Sequence, residues 1–242
     1  MRSLAEAVDL ILAARAAMNR PLAIILAGHN GSGKSTCWRD HLSPAFQMPL
    51  VNADRLMLSV LPEPPLPVWA RDLRDTDAGW MEVGQKGVLA YVELAMQRGL
   101  PFAIETVFSD WRLQDDGTVR SKIDLMLELQ IAGYFVLLFF VGLTSAALSQ
   151  ARVATRIVEG GHAVPNDKLL ARFPRTQQAI RAASDVADAV ILADNSREPE
   201  HAFSICRISV SNEAVFDCRD LGIPQPAEIT MWLDAVSPRE PS

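Results

Sequence analysis

Residues 22–36 constrain the fold more than any other part of the chain. Residues 22–27 are a continuous apolar run with isoleucine at 24 and 25, the pattern of a strand buried on both faces of a parallel sheet. Gly28, His29, Asn30, Gly31, Ser32, Gly33, Lys34 and Ser35 follow directly and match GxxxxGK[ST] in full, with a helix expected behind them. In that setting the glycines let the backbone curl until successive N–H groups point inward, and the helix start adds the positive end of its dipole. A phosphate chain binds such a nest by geometry. Lys34 reaches the β- and γ-phosphates as a mobile charge, the Ser35 hydroxyl is placed to ligate Mg²⁺, and Thr36 is a lesser candidate for the α-phosphate. Of His29 only the backbone is expected to matter. The expected ligands are ATP and Mg²⁺.

The remaining chain alternates helical and strand patterns. Apolar residues at 4, 7, 8, 11 and 12 predict a helix over 3–19 covering one side of the sheet. Strands are expected at 49–52, 102–106, 134–141 and 186–192, and helices at 77–99, 118–132 and 145–159, with another starting near Asn166. The prolines between 62 and 67 require an extended loop. Residues 203–210 and 215–218 read as a hairpin at one sheet edge, and the last twenty residues as a partly disordered tail around an apolar patch at 229–233. This alternation predicts an α/β fold of the P-loop NTPase kind: a doubly wound, mostly parallel sheet with helices on both faces and a helical insert or lid. The whole of 1–242 reads as a single domain, with its core at about 20–197, the helix 3–19 before it and the hairpin and tail, about 200–242, behind it.

Composition narrows the partners. The formal charge of −6 and scattered acidic residues argue against nucleic acid, whose binders carry a basic face. The longest apolar run, 134–141, is far short of the roughly 18 residues that a membrane span needs. Glu6 and Asp9 interrupt what would have to be the apolar core of a signal peptide, so a cytoplasmic protein without a membrane partner is expected. Cys37, Cys206 and Cys218 have neither the number nor the spacing of a disulfide framework or zinc site, and read as packed thiols.

If a nucleoside triphosphate is held at residues 28–36, the open question is what accepts its phosphate. Asp54, expected at the end of the second strand, lies where strand ends line the crevice of an open α/β sheet; it reads equally as a base for an acceptor hydroxyl and as the cap of a following helix. Glu105 and Thr106 end the next strand and face the same crevice as substrate contacts, or else serve as rim or capping groups. Arg152 and Arg156 are four residues apart on one helix, and Lys168 and Arg172 repeat that spacing on the next, giving either a face that closes over phosphates or a solvated basic surface. Asn195 and Ser196 follow the last core strand, where a nucleotide base can sit, but Asp-Asn-Ser is also ordinary turn chemistry. Gly160 and Gly161 suit a helix terminus, and His162 a structural or rim role.

Together, GHNGSGKST at 28–36, NAD at 52–54, ET at 105–106, ARVATRIVEGGHAVP at 151–165 and DNS at 194–196 resemble the zeta toxin family of P-loop kinases over residues 22–197, with Ile157 where the family pattern has valine. The resemblance implies transfer of the ATP γ-phosphate to a hydroxyl of a small molecule such as UDP-N-acetylglucosamine. It further implies Asp54 as general base and arginines among Arg152, Arg156 and Arg172 neutralising the γ-phosphate. The family name also suggests a toxin role with a small antitoxin-like protein partner. Two other readings stay open: a phosphotransferase of the same build acting on a drug or nucleoside, since residues 55–100 carry no legible acceptor motif, and a nucleotide-gated switch with no small-molecule acceptor.

Overall fold

The computed structural model describes residues 2–63, 65–117, 119–158 and 164–239. The strands, in chain order, are β1 (Leu22–Gly28), β2 (Leu50–Val51), β3 (Phe102–Thr106), β4 (Trp111–Leu113), β5 (Val119–Ser121), β6 (Phe135–Gly142), β7 (Ala189–Asp194), β8 (Ser204–Val210) and β9 (Glu213–Asp217). One sheet runs β2-β3-β1-β6-β7-β8-β9, and β4 pairs with β5 in a separate hairpin. The first five strands of the large sheet are parallel, while β8 and β9 add antiparallel at one edge.

All residues of β1, β6 and β7 are buried, as expected for strands covered on both faces. Successive side chains point to opposite faces, so each strand feeds two cores. Ala23, Ile25, Ala27, Val136, Leu138 and Phe140 meet Val92 and Ala95 of the helix Ala78–Arg98, Met126 and Leu129 of Ile123–Ile131, and Ala179, Ile180 and Ala183 of Asn166–Ser184. Leu22, Ile24, Leu26, Phe135, Leu137 and Phe139 meet Ala7, Val8 and Ile11 of the helix Leu4–Met18, and Trp38, Leu42 and Phe46 of the helical segment 34–46. Each such aliphatic or aromatic side chain contributes roughly 1.5–3 kcal/mol when fully buried. The fold is thus the expected doubly wound α/β sheet. The two sides of the sheet order meet at β1, which places the crevice of such a fold beyond the carboxyl end of that strand.

Several expectations need correction. Residues 119–121 form a strand, β5, and the helix expected from 118 begins only at Ile123. The last parallel strand starts at Ala189, because Val186 and Ala187 still hydrogen-bond to Ala183 at the end of the preceding helix. The insert carries a further helix, Val68–Thr76, which the sequence pattern did not reveal.

The largest correction concerns the tail. Residues 227–236 form a helix whose Ile229, Trp232, Leu233 and Val236 are buried in the core, with Trp232 stacked on Phe140 at a centroid distance of 6.0 Å. A Cβ at Gly142 would lie 2.0 Å from Trp232 Cζ2, so the indole occupies the space that any side chain at 142 would need. Gly142→Ala is therefore expected to destabilise the fold by about 1–3 kcal/mol through overpacking, and Trp232→Leu in the same chain to recover part of that loss. Urea denaturation of the single and double variants measures both.

Candidate active site

The P-loop curls between the end of β1 and the first helical turn at Lys34, with Gly31 at φ +72° and Gly33 at φ +87°, backbone states that L side chains rarely adopt. Its outer surface is gripped from several directions. Ser149 on the helix Ala146–Val158 donates its hydroxyl to the Asn30 carbonyl (2.7 Å), and Gly31 lies against the stem of Arg152. The Asn195 side chain donates to the Ser32 carbonyl (2.9 Å), while its own backbone N–H is held by the Gly142 carbonyl (3.1 Å). The His29 ring accepts from the Leu143 N–H at Nδ1 (3.3 Å) and stacks on Phe173 of the helix Asn166–Ser184.

Lys34 is only 8% exposed, and its ammonium donates to the carbonyls of Gly28 (3.0 Å) and His29 (3.1 Å). Burial pushes its pKa below the usual lysine range; Glu105 opposes that shift, Arg156 adds to it and Asp54 opposes it again. Charges from three separate elements therefore converge on this one ammonium. Ser35 donates its hydroxyl to Glu105, with the two carboxylate oxygens at 3.0 and 3.1 Å. Glu105 comes level with the end of β1 because Leu26 pairs with it in register, as Ala27 does with Thr106. The Thr106 hydroxyl accepts from the N–H of Phe108 (3.1 Å), which turns the chain away from the crevice with Phe108 at φ +60°. Thr36 is exposed on the first helical turn.

Asp54 is not at the end of a strand. β2 stops at Val51, and Asp54 sits in the first turn of the helix Ala53–Leu58. Nor is it the cap, because the Asn52 side chain accepts the Arg55 N–H (3.1 Å) in that role, worth about 1 kcal/mol. The Asp54 carboxylate is thereby left exposed toward solvent. The helix beneath it lies close on Ala78–Arg98, where a Cβ on Gly84 would come within 2.6 Å of Met57 Cγ.

Arg156 is exposed but within electrostatic reach of Lys34, and Arg152 and Arg172 are half-buried, the latter next to the stacked Phe173. Residues 160–162 lie outside the described residues. In the Asp-Asn-Ser segment, buried Asp194 accepts from the Ser196 N–H (2.9 Å) and from Arg197 (3.0 Å), and the Ser196 hydroxyl accepts the Thr144 N–H (2.8 Å). The segment thus braces the P-loop from behind. All three cysteines are free and buried, and burial pushes the Cys37 thiol up to about 12, leaving it inert.

Sequence reasoning missed Asn52, Ser149 and Phe173. Asn52 was legible as a cap, since asparagine before a short apolar run carries that signal. Ser149 and Phe173 had no local signal, as their partners are far away in sequence; Ser149 meets Asn30 across 119 residues.

No family model matches the chain. It is 27% identical to an uncharacterized protein of Haemophilus influenzae over 151 residues, which are 62% of this chain and 91% of that protein. Among solved structures, that of the PezAT chromosomal toxin-antitoxin system of Streptococcus pneumoniae is similar at a TM-score of 0.56 and 13% identity, covering 99% of this chain and 90% of that one. The AvrRxo1-ORF1:-ORF2 structure with ATP gives a TM-score of 0.57 at 13% identity, over 97% of this chain and 70% of that one, and its counterpart with sulphate ions 0.58 at 12%, over 98% and 73%. At such identities the likeness is one of fold, and the resemblance drawn from the motifs holds at that level: over nearly its whole length the chain has a zeta-toxin-like P-loop kinase fold.

Proposed function

We propose that this chain is a phosphotransferase that moves the γ-phosphate of ATP, with Mg²⁺, to a hydroxyl of a small molecule, of which a nucleotide sugar such as UDP-N-acetylglucosamine is the leading candidate. The observation that carries this reading is the convergence of Glu105, Arg156 and Asp54 on the buried ammonium of Lys34. A loop built only to grip phosphate has no use for two carboxylates at its mouth, whereas a transfer reaction needs one near the metal and one near the acceptor. A fold neighbour solved with ATP supports the choice of nucleotide.

In this mechanism the loop N–H groups cradle the phosphates, and Lys34 exchanges its carbonyl partners for β- and γ-phosphate oxygens. Ser35 and Glu105, already side by side, would hold Mg²⁺. No group of three or more acidic, His or Cys side chains suited to a metal occurs among the described residues, and Mg²⁺ fits such a sparse set because it keeps waters and phosphate oxygens as its other ligands. Bound there, the ion would neutralise charge on the phosphates. Arg156, with Arg152 and Arg172, meets the charge spread over the transferring oxygens. Asp54 orients the acceptor hydroxyl and takes its proton as the oxygen bonds to phosphorus and ADP leaves. Because both listed kinds of fold neighbour come from two-protein systems, a small antitoxin-like partner belongs to the same proposal.

Asp54→Asn is expected to lower phosphorylation of the acceptor by about 10²–10⁴-fold while ATP affinity holds, and Lys34→Ala to lose both. Rates on a panel of nucleotide sugars and nucleosides, beside ATP titrations, check this; wild-type turnover in Asp54→Asn would refute the base assignment. Glu105→Gln is expected to raise the Mg²⁺ concentration for half-maximal rate about 10-fold, read from a Mg²⁺ titration at saturating ATP.

A further inference from the structure

One P-loop side chain has no part in the reaction above. His29 is 2% exposed, too deep to touch a nucleotide, yet its ring is tightly engaged. Phe173 lies face to face with it, centroids 4.0 Å apart and planes 17° from parallel, and Phe140 meets it edge-on at 5.4 Å. Nδ1 accepts the Leu143 N–H, so the ring proton belongs on Nε2, which is buried with no hydrogen-bond partner. Burial, with Lys34 nearby, holds the ring's pKa down to about 3, so it stays neutral at working pH.

A small or aliphatic residue would fill that space without burying an orphan N–H. What the ring adds is a flat surface on which another helix can register. Phe173 belongs to the helix Asn166–Ser184 and directly follows Arg172, so a shift of its ring moves the Arg172 backbone. The same helix is pinned three residues later, where the Thr176 hydroxyl donates to the Val107 carbonyl (3.1 Å), just beyond Glu105 and Thr106. It also packs against the helix Ala146–Val158, which carries Arg152 and Arg156 and is itself tied to the loop through Ser149.

We propose that His29 and Phe173 form a positioning contact that docks the arginine-bearing helices on the P-loop, so that recognition of the terminal phosphate depends on a ring stack beneath the site as well as on the arginines above it. The inference rests on the phosphotransferase reading and deepens it. His29 and Phe173 are positioning residues, since neither reaches the reacting atoms. Displacements of about 1 Å at such distances can cost on the order of 100-fold in rate.

The test separates the γ-phosphate from the rest of the nucleotide. Dissociation constants for Mg-ADP and for a non-hydrolysable Mg-ATP analogue are measured by fluorescence titration for wild type, Phe173→Leu, Phe173→Tyr and His29→Asn, with thermal melting as the control for folding. Phe173→Leu is expected to weaken the triphosphate about 10-fold while ADP affinity stays within about 2-fold, His29→Asn to behave alike, and Phe173→Tyr, which keeps the ring, to restore the wild-type ratio. Equal loss of both nucleotides, or an unchanged ratio in Phe173→Leu and His29→Asn, overturns the positioning role. Should Phe173→Leu not fold, the His29→Asn ratio decides alone. A wild-type chain that binds neither nucleotide overturns the phosphotransferase reading, and this inference with it.

Discussion

The buried ammonium of Lys34, donating to the carbonyls of Gly28 and His29, fixes the curl on which the rest of the site depends. Those carbonyls come from the loop itself, so the lysine closes the turn that will cradle a ligand and remains available to exchange its partners for phosphate oxygens. A charge removed from water this far requires compensation. The loop carbonyls and the nearby carboxylates of Glu105 and Asp54 supply it, and Arg156 works against them. A polyanion entering the nest would relieve that opposition between Lys34 and Arg156, which is why the arrangement favours occupation by phosphate.

Around this centre the molecule divides its labour between the two ends of the sheet. At the carboxyl ends, Asn195, Ser149 and Phe173 hold the loop from outside, and the backbone of Glu105 is set by its register with Leu26. At the other end the polar groups are spent on architecture. Asp188 accepts from the Val136 N–H (2.8 Å) and from Gln130 (3.2 Å) and pairs with Arg20 (3.5 Å), tying the starts of β1, β6 and β7 together. Tyr134 sends its hydroxyl to the Ala95 carbonyl (2.7 Å), locking the long insert helix to the sheet. Rigid packing at that end lets the opposite end carry strained loops and converging charges.

Much of this was legible in the sequence because its signals are local. The GHNGSGKST loop after an apolar strand fixed the kind of fold, and the alternation of strands and helices located the parallel strands and the edge hairpin. What escaped depended on distant contacts. The helix 227–236 looked like tail because only Ile229–Leu233 is apolar in a polar, proline-rich stretch, and the cavity it fills is made by Gly142 and Phe140. Residues 118–122 were read as helix because a three-residue hairpin strand is too short to show its own period. Asp54 was placed one element too early, since the two-residue β2 gives way at once to a helix capped by Asn52. The roles of the arginines could be narrowed from spacing to a pair of helices, but Phe173, which registers one of those helices on the loop, carries no signature beyond being aromatic.

The central claim is that the phosphate held at Lys34 passes to a small-molecule hydroxyl. Phosphorus NMR of the purified protein with ATP, Mg²⁺ and a nucleotide sugar follows every phosphorus atom at once. The account predicts that the γ-phosphate signal of ATP falls as that of ADP grows, with a new phosphate-monoester resonance on the sugar nucleotide in equal amount. Loss of the γ-signal solely to inorganic phosphate, whichever nucleotide sugar or nucleoside is supplied, would contradict it and leave a nucleotide-driven switch as the better description.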